Sequence, residues 1–189
     1  MIKIFKTTDS GVLQISEFED NSWISMTNPT TEELFSVSST YKIAPDDLRA
    51  SLDEEERSRI EIEENYSLIL VDIPTIEERN GKDWYGTIPL AIIICDKVIV
   101  TVCLEDSPVL TAFMDGRVRN FYTHMKTRFI FQILYRNATL YLNYLRIIDR
   151  RSDAIEQKLH EATKNRELIE LLELEKSLVF FTTSLKSNE

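Results

Sequence analysis

Carboxylates are the side chains of this sequence that come closest to forming a chemical site. The run Asp53-Glu54-Glu55-Glu56 is followed closely by Glu61, Glu63 and Glu64. Carboxylate oxygens are the ligands that hard divalent cations prefer. The run lacks the spaced ligands and the fixed glycine of an EF-hand loop, so the pattern favours a solvated acidic surface over a cation site.

Other chemistries have less support in the sequence. His124 and His160 each lie in a segment that we predict to be helical, with no second histidine or cysteine at ligand spacing, which argues against zinc. The chain has four glycines, and it has no nucleophile elbow, Walker loop, dinucleotide-binding turn or His-Glu-x-x-His string. No pair of acids is placed by a pocket motif, as an acid/base hydrolase needs. We therefore expect neither an enzyme nor an organic cofactor.

Charge and cysteine content limit the partners and the compartment. The formal net charge is -10, which repels polyphosphates, so we expect no nucleic-acid partner. Cys95 and Cys103 are too few for a disulfide framework. If Asp96-Lys97 is a two-residue turn, Cys95 faces Val98 and Cys103 faces Leu90, so we expect two buried free thiols.

Alternating and apolar segments predict the strands that must position these residues. Residues 2–5, 13–15 and 23–26 predict a meander. Residues 59–63 alternate and residues 66–71 are continuously apolar, as in a strand that enters a covered interior, and we expect Pro74 to end it. Residues 90–94 and 98–102 predict a hairpin, whereas the segment around Asn80-Gly81 fits either a polar loop or a second hairpin turn.

Helix start signals punctuate the same region. Residues 30–33 form a capping-box pattern. Pro45-Asp46-Asp47 predicts a short helix that ends near Asp53. Ser107-Pro108 predicts another helix, which Gly116 ends.

The last third of the chain predicts two long helices, the second folded back on the first. From about residue 121 the apolar residues follow heptad-like spacing: Leu134, Tyr141, Leu145, Ile148, Ile155 and Leu159. After a polar break at 163–166 they repeat at three and four: Leu168, Leu171, Leu174, Leu178, Phe181 and Leu185. No apolar run approaches the roughly 20 residues that span a bilayer. The second helix has no stop signal before Glu189, which we interpret as a boundary within a longer protein.

This order of elements resembles the cytosolic half of CorA-like magnesium and cobalt transporters. The similar stretches are the strand, proline and helix of residues 23–34, the helix, basic turn and strand of residues 43–70, the hairpin of residues 92–102 and the helix from Arg128. The resemblance implies an α+β fold, namely an α/β/α sandwich with a mixed, mainly antiparallel sheet, followed by a long antiparallel helical hairpin. Residues 1–120 would form the α/β/α domain, and residues 121–189 the helices of the stalk region.

The resemblance also implies a function and partners. In family members the domain assembles as a pentameric funnel at the cytoplasmic face of the cell membrane, below a pore. The chain would then be a homo-oligomeric regulatory domain that senses cytosolic divalent cations, magnesium being the expected ion. The pore and its membrane helices would follow Glu189. Carboxylates that face each other across an interface repel, and a bound cation screens them.

One position departs from the family pattern. Ala50 stands where many relatives have a cation-binding aspartate. Asp46, Asp47 and Asp53 are close enough in the sequence to substitute, and they are the candidate metal ligands. The alternative hypothesis is a soluble acidic interaction module that self-associates through its helical hairpin, near residues 178–181.

Overall fold

The protein is built around one mixed β-sheet, described here from a computed structural model that covers residues 1–79, 81–161 and 165–189, with residues 160 and 161 described by their backbone alone. Within these residues the sheet has seven strands: β1 (Ile2–Thr8), β2 (Gly11–Ile15), β3 (Trp23–Thr27), β4 (Arg59–Ile62), β5 (Tyr66–Arg79), β6 (Lys82–Cys95) and β7 (Ile99–Cys103).

The helices begin and end largely where local signals place them. They are α1 (Thr31–Tyr41), α2 (Pro45–Arg49, continued by a 3-10 turn over Ala50–Leu52), α3 (Pro108–Met114), α4 (Lys126–Glu161) and α5 (Asn165–Ser187). Thr30 and Glu33 form the expected capping box, and Ser107 caps α3. In the described part of the chain, no helix is both long and apolar enough to cross a membrane.

The strand order is β2-β1-β3-β7-β6-β5-β4. Neighbouring strands are antiparallel except β3 and β7, where Ile24 lies opposite Val100 in a parallel pair. A meander of the first three strands would place β2 between β1 and β3. The prediction of a meander is wrong, because β1 is the central strand and pairs with both β2 and β3. Since β3 is buried along most of its length, it needs a neighbour on each side, which β1 and β7 supply.

Apolar side chains fill both faces of the sheet. α1 and α2 cover one face through Leu34, Val37 and Leu48. α3 and the first part of α4 cover the other face through Phe113 and Phe129. This arrangement confirms the expected sandwich with a mixed, mainly antiparallel sheet. The expected domain boundary near residue 120 stays a prediction.

The two cysteines lie in different apolar layers, Cys95 on the α1 and α2 side and Cys103 on the α3 and α4 side. Both are free and buried, as the sequence predicts. Burial raises the pKa of each thiol to about 11. Both thiols therefore stay protonated near neutral pH.

β5 and β6 form a hairpin that runs well beyond the rest of the sheet. Their pairing continues to Arg79 opposite Lys82, whereas β4 reaches only Leu70 and β7 only Leu90. The sequence allowed either a polar loop or a hairpin turn around Asn80-Gly81. The pairing of Arg79 with Lys82 confirms the hairpin turn, although Asn80 itself lies outside the described residues.

Pro74 lies inside β5, opposite Thr87, so the prediction that it ends the strand is wrong. Residues two apart on a strand point their N–H groups in the same direction. The N–H of Asp72 points to Asn188 rather than to β6. The nitrogen of Pro74 therefore faces the same side, beyond the end of β4, where a missing donor costs no ladder hydrogen bond.

α4 and α5 form the antiparallel helical hairpin that was expected. Tyr141 packs edge-on against Phe181, with ring centroids 5.1 Å apart, and the same apolar cluster includes Ile148, Ile155 and Leu174. α4 begins at Lys126 rather than near residue 121, so exposed His124 precedes it. Of the predicted polar break, residues 163 and 164 lie outside the described residues.

The packed face of α5 agrees only in part with the predicted one, since the predicted residues Leu174 and Phe181 are buried. The buried residues of this helix are Leu174, Ser177, Phe181 and Ser184. Leu168, Leu178 and Leu185, which we placed on the apolar face, are exposed. The serines occupy the interface because α5 also packs on the β5–β6 hairpin, where the Ser184 hydroxyl donates to Thr87 Oγ1 at 2.9 Å.

Candidate cation-binding site

The three candidate carboxylates lie around the short helix α2. Asp46 and Asp47 are in its first turn, and Asp53 follows the 3-10 turn that continues it. Leu48 anchors the helix, since its side chain is fully buried against the sheet. The Ser51 hydroxyl fixes the 3-10 turn by donating to the Val102 carbonyl at 2.9 Å.

Asp47 is held by a tyrosine that the sequence did not single out. The Tyr66 hydroxyl donates to Asp47 Oδ2 and accepts from the Ala44 N–H at 3.1 Å. Burial, together with the hydrogen bond to Asp47, raises the pKa of Tyr66 to about 12. The phenol therefore remains a donor at neutral pH, and one oxygen of Asp47 is committed to it.

Asp46 and Asp53 are the more available carboxylates. Both are exposed. Asp53 Oδ1 accepts from the Glu55 N–H at 3.0 Å, which shapes the loop after the 3-10 turn, while Asp46 has no hydrogen bond or ion pair with another described residue. Ala50 is half-buried against the apolar cluster below α2 and offers no ligand atom in its side chain.

The neighbouring acidic run is divided between ion pairs and an open groove. Glu56 and Glu61 both pair with Arg59. Glu54 and Glu55 line a groove of about 580 Å³ between this loop, the β5–β6 hairpin and α5.

Among the described residues, no group of three or more histidine, cysteine or acidic side chains is placed to hold a metal ion. The assignment of Asp46, Asp47 and Asp53 as metal ligands stays a prediction.

The apolar surface invoked by the interaction-module hypothesis is only partly free. Phe181 is buried, and Phe180 packs edge-on against Trp84 with ring centroids 5.4 Å apart. Leu178 and Val179 are exposed.

Comparison of the sequence with known proteins finds a family that matches most of the chain. A family model described as CorA-like Mg2+ transporter protein matches residues 18–189. The cobalt/magnesium transport protein CorA of Methanocaldococcus jannaschii is 30% identical over 175 residues, which cover 88% of this chain and 52% of that protein. The chain thus spans about half the length of this relative.

Solved structures share the fold. The complete CorA magnesium transporter of M. jannaschii aligns with a TM-score of 0.86 and 23% identity, covering 100% of this chain and 60% of that one. The soluble domain of CorA from the same organism aligns with a TM-score of 0.84 and 24% identity, covering 100% of this chain and 76% of that one. At these identities the agreement concerns the fold, including the helical hairpin.

Proposed function

Because the chain belongs to the CorA-like Mg2+ transporter family, we propose that it forms the cytoplasmic, ion-responsive domain of a divalent-cation transporter. The match of the family model over residues 18–189 carries this proposal. The domain lies at the cytoplasmic face of the membrane, associates with further copies of itself and adjusts the pore in response to cytosolic magnesium. The pore belongs to the part of such a protein that this chain does not match.

The proposed regulatory ligands are Asp46 and Asp53. Asp47 lies in the same helix as Asp46 and accepts a hydrogen bond from Tyr66. The exposure of the first two supports this assignment. Mg2+ dehydrates reluctantly and usually keeps several waters, so one or two carboxylates are a sufficient protein contribution. In the assembly a neighbouring copy places its own acidic surface against these carboxylates, so that the ion lies between two copies.

The charge of the chain explains how the ion acts. At a formal net charge of -10, copies repel one another. A divalent cation between acidic surfaces screens that repulsion, and its loss loosens the assembly. Ion binding and association therefore strengthen each other, because coupling between two binding events is reciprocal.

Thermal unfolding with millimolar magnesium or cobalt, against sodium chloride of equal ionic strength, tests the proposal. A ligand at ten times its dissociation constant should raise the midpoint by about 3–6 °C for a chain of this size. The double variant D46N/D53N should lose this increment. The matched control D9N/E17Q removes two exposed charges from the β1–β2 region and should keep it.

The sodium chloride control and the two variants distinguish ion binding at α2 from general screening of the negative charge. A midpoint that rises equally in sodium chloride, or equally in D46N/D53N and wild type, would exclude an ion site at α2.

A further inference from the structure

A polar cluster joins the C-terminal end of α5 to the sheet. Asn188 directly follows α5, and its side chain bonds the peptide of Asp72 in both directions. Asn188 Oδ1 accepts from the Asp72 N–H at 2.8 Å, and Asn188 Nδ2 donates to the Asp72 carbonyl at 2.9 Å. This two-way exchange is the pattern of a hydrogen-bonded antiparallel pair. Asn188 therefore acts as one added residue of β4, whose pairing with β5 stops at Leu70.

Neighbouring elements converge on the same position. The Ser58 hydroxyl, just before β4, donates to Asn188 Oδ1 at 2.8 Å. From α4, Asn137 Nδ2 and the Tyr141 hydroxyl donate to the Asp72 carbonyl at 3.0 and 3.2 Å. The carbonyl of Asp72 thus has several donors, whereas its N–H depends on Asn188.

The partner strand cannot replace Asn188. Pro89 lies opposite Asp72 on β6, but the Asp72 N–H needs an acceptor and donates to Asn188 on the other side of β5. The peptide groups of Asp72 point away from β6 toward the open edge. Without Asn188, the N–H of Asp72 loses its partner, and a part-buried backbone donor without a partner is costly.

Beyond Ser184, whose hydroxyl bonds Thr87 Oγ1 and the Asp72 carboxyl, the last residues of α5 have little else to hold them. Ser184 is the last buried residue of the helix, and residues 185–187 are exposed. The rest of α5 has separate anchors on the β5–β6 hairpin, including an ion pair between Lys82 and Glu170 at 2.9 Å and the contact of Phe180 with Trp84. The end of α5 can therefore open while the rest stays packed.

We propose that Asn188 is a latch that docks the C-terminal turn of α5 on the β5 edge, and that its release frees this turn while the sheet and the remaining helical hairpin stay folded. The latch needs no bound ion. Its test is therefore independent of the ion-binding proposal.

Amide hydrogen exchange followed by NMR tests the latch in the variant N188A. Exchange at Asp72 and in the last turn of α5 should accelerate about tenfold or more, since two hydrogen bonds are lost. The central amide of Val100 on β7 should keep its wild-type rate. The matched control K186A changes an exposed residue in the same turn and should leave all of these rates unchanged.

A milder variant, S58A, removes one hydrogen bond to Asn188 Oδ1 and should accelerate the same amides by a smaller factor. Unchanged protection of Asp72 in N188A would overturn the latch. Equal acceleration at Asp72 and Val100 would also overturn it, because Asn188 would then act through global stability.

Discussion

The hydroxyl of Tyr66 links the core of the sheet to the proposed ion site. Its ring is buried among the apolar residues below α2, while the hydroxyl bonds Asp47 and the Ala44 N–H at the start of the helix. This tyrosine lies in an apolar run that we assigned to a strand. Nothing in that run reveals its partner, because the contact depends on how α2 packs over β5.

Replacing Tyr66 with phenylalanine should destabilise the protein by about 1–2 kcal/mol, since one charge-assisted hydrogen bond and one backbone hydrogen bond are lost. Urea denaturation measures the difference. Tyr135, which is 75% exposed, supplies the matched control. Y135F should change the stability by less than about 0.5 kcal/mol.

The stability difference between wild type and Y66F should also depend on pH. Because the folded pKa of Tyr66 is raised from 10.0 to about 12, the neutral phenol is the form that favours folding. Its contribution is fully present below pH 10 and is lost as the pH rises through about 12. A difference that stays constant from pH 9 to 12 would contradict this account.

At the scale of elements, one aromatic ring joins the start of β6 to α5. Trp84 lies over Gly86, where an added Cβ would come within 2.6 Å of the ring. The ring also packs against Phe180, and the Arg79 guanidinium lies 3.7 Å from its centroid. Gly86 is therefore required for close approach of the ring to its own strand.

The variant G86A should cost about 1–3 kcal/mol, because the alanine methyl forces the Trp84 ring to move. In a W84A background the same change should cost much less. A double-mutant cycle in urea measures this coupling. An equal cost in both backgrounds would show that the Gly86 backbone, and not the ring, sets the penalty.

The sequence predicts those elements that are determined locally. Thr30 and Glu33 lie three residues apart, so their capping box is visible in the sequence and forms in the structure. Pro74 was misjudged because its effect depends on where β4 ends. The α5 interface was predicted in part. Leu174 and Phe181 are buried as predicted, whereas Ser177 and Ser184 are buried and Leu178 and Leu185 are exposed.

At the scale of the whole molecule, the order of the strands depends on distant pairings. β3 and β7 are parallel neighbours although most of the domain separates them in the chain. No local pattern specifies that pairing, whereas the resemblance to a family predicts the sandwich and the helical hairpin correctly. Asn188 likewise looks like an ordinary helix-end residue until its bonds to Asp72 are seen.

The candidate ion site, as proposed, depends on contacts between copies of the chain. The sequence locates its acids near α2, but the structure brings no three metal-binding side chains together within the described part of one chain. In the proposed function the ion lies between two copies, so magnesium should change the association of the chain as well as its stability.

Multi-angle light scattering of the chain with EDTA, and then with millimolar magnesium, tests this account most directly. We expect wild type and D9N/E17Q to shift to a multiple of the monomer mass in magnesium, and D46N/D53N to keep the mass that it has in EDTA. A wild-type mass that is the same with EDTA and with magnesium, or a shift that persists in D46N/D53N, would contradict an ion held at α2 between subunits.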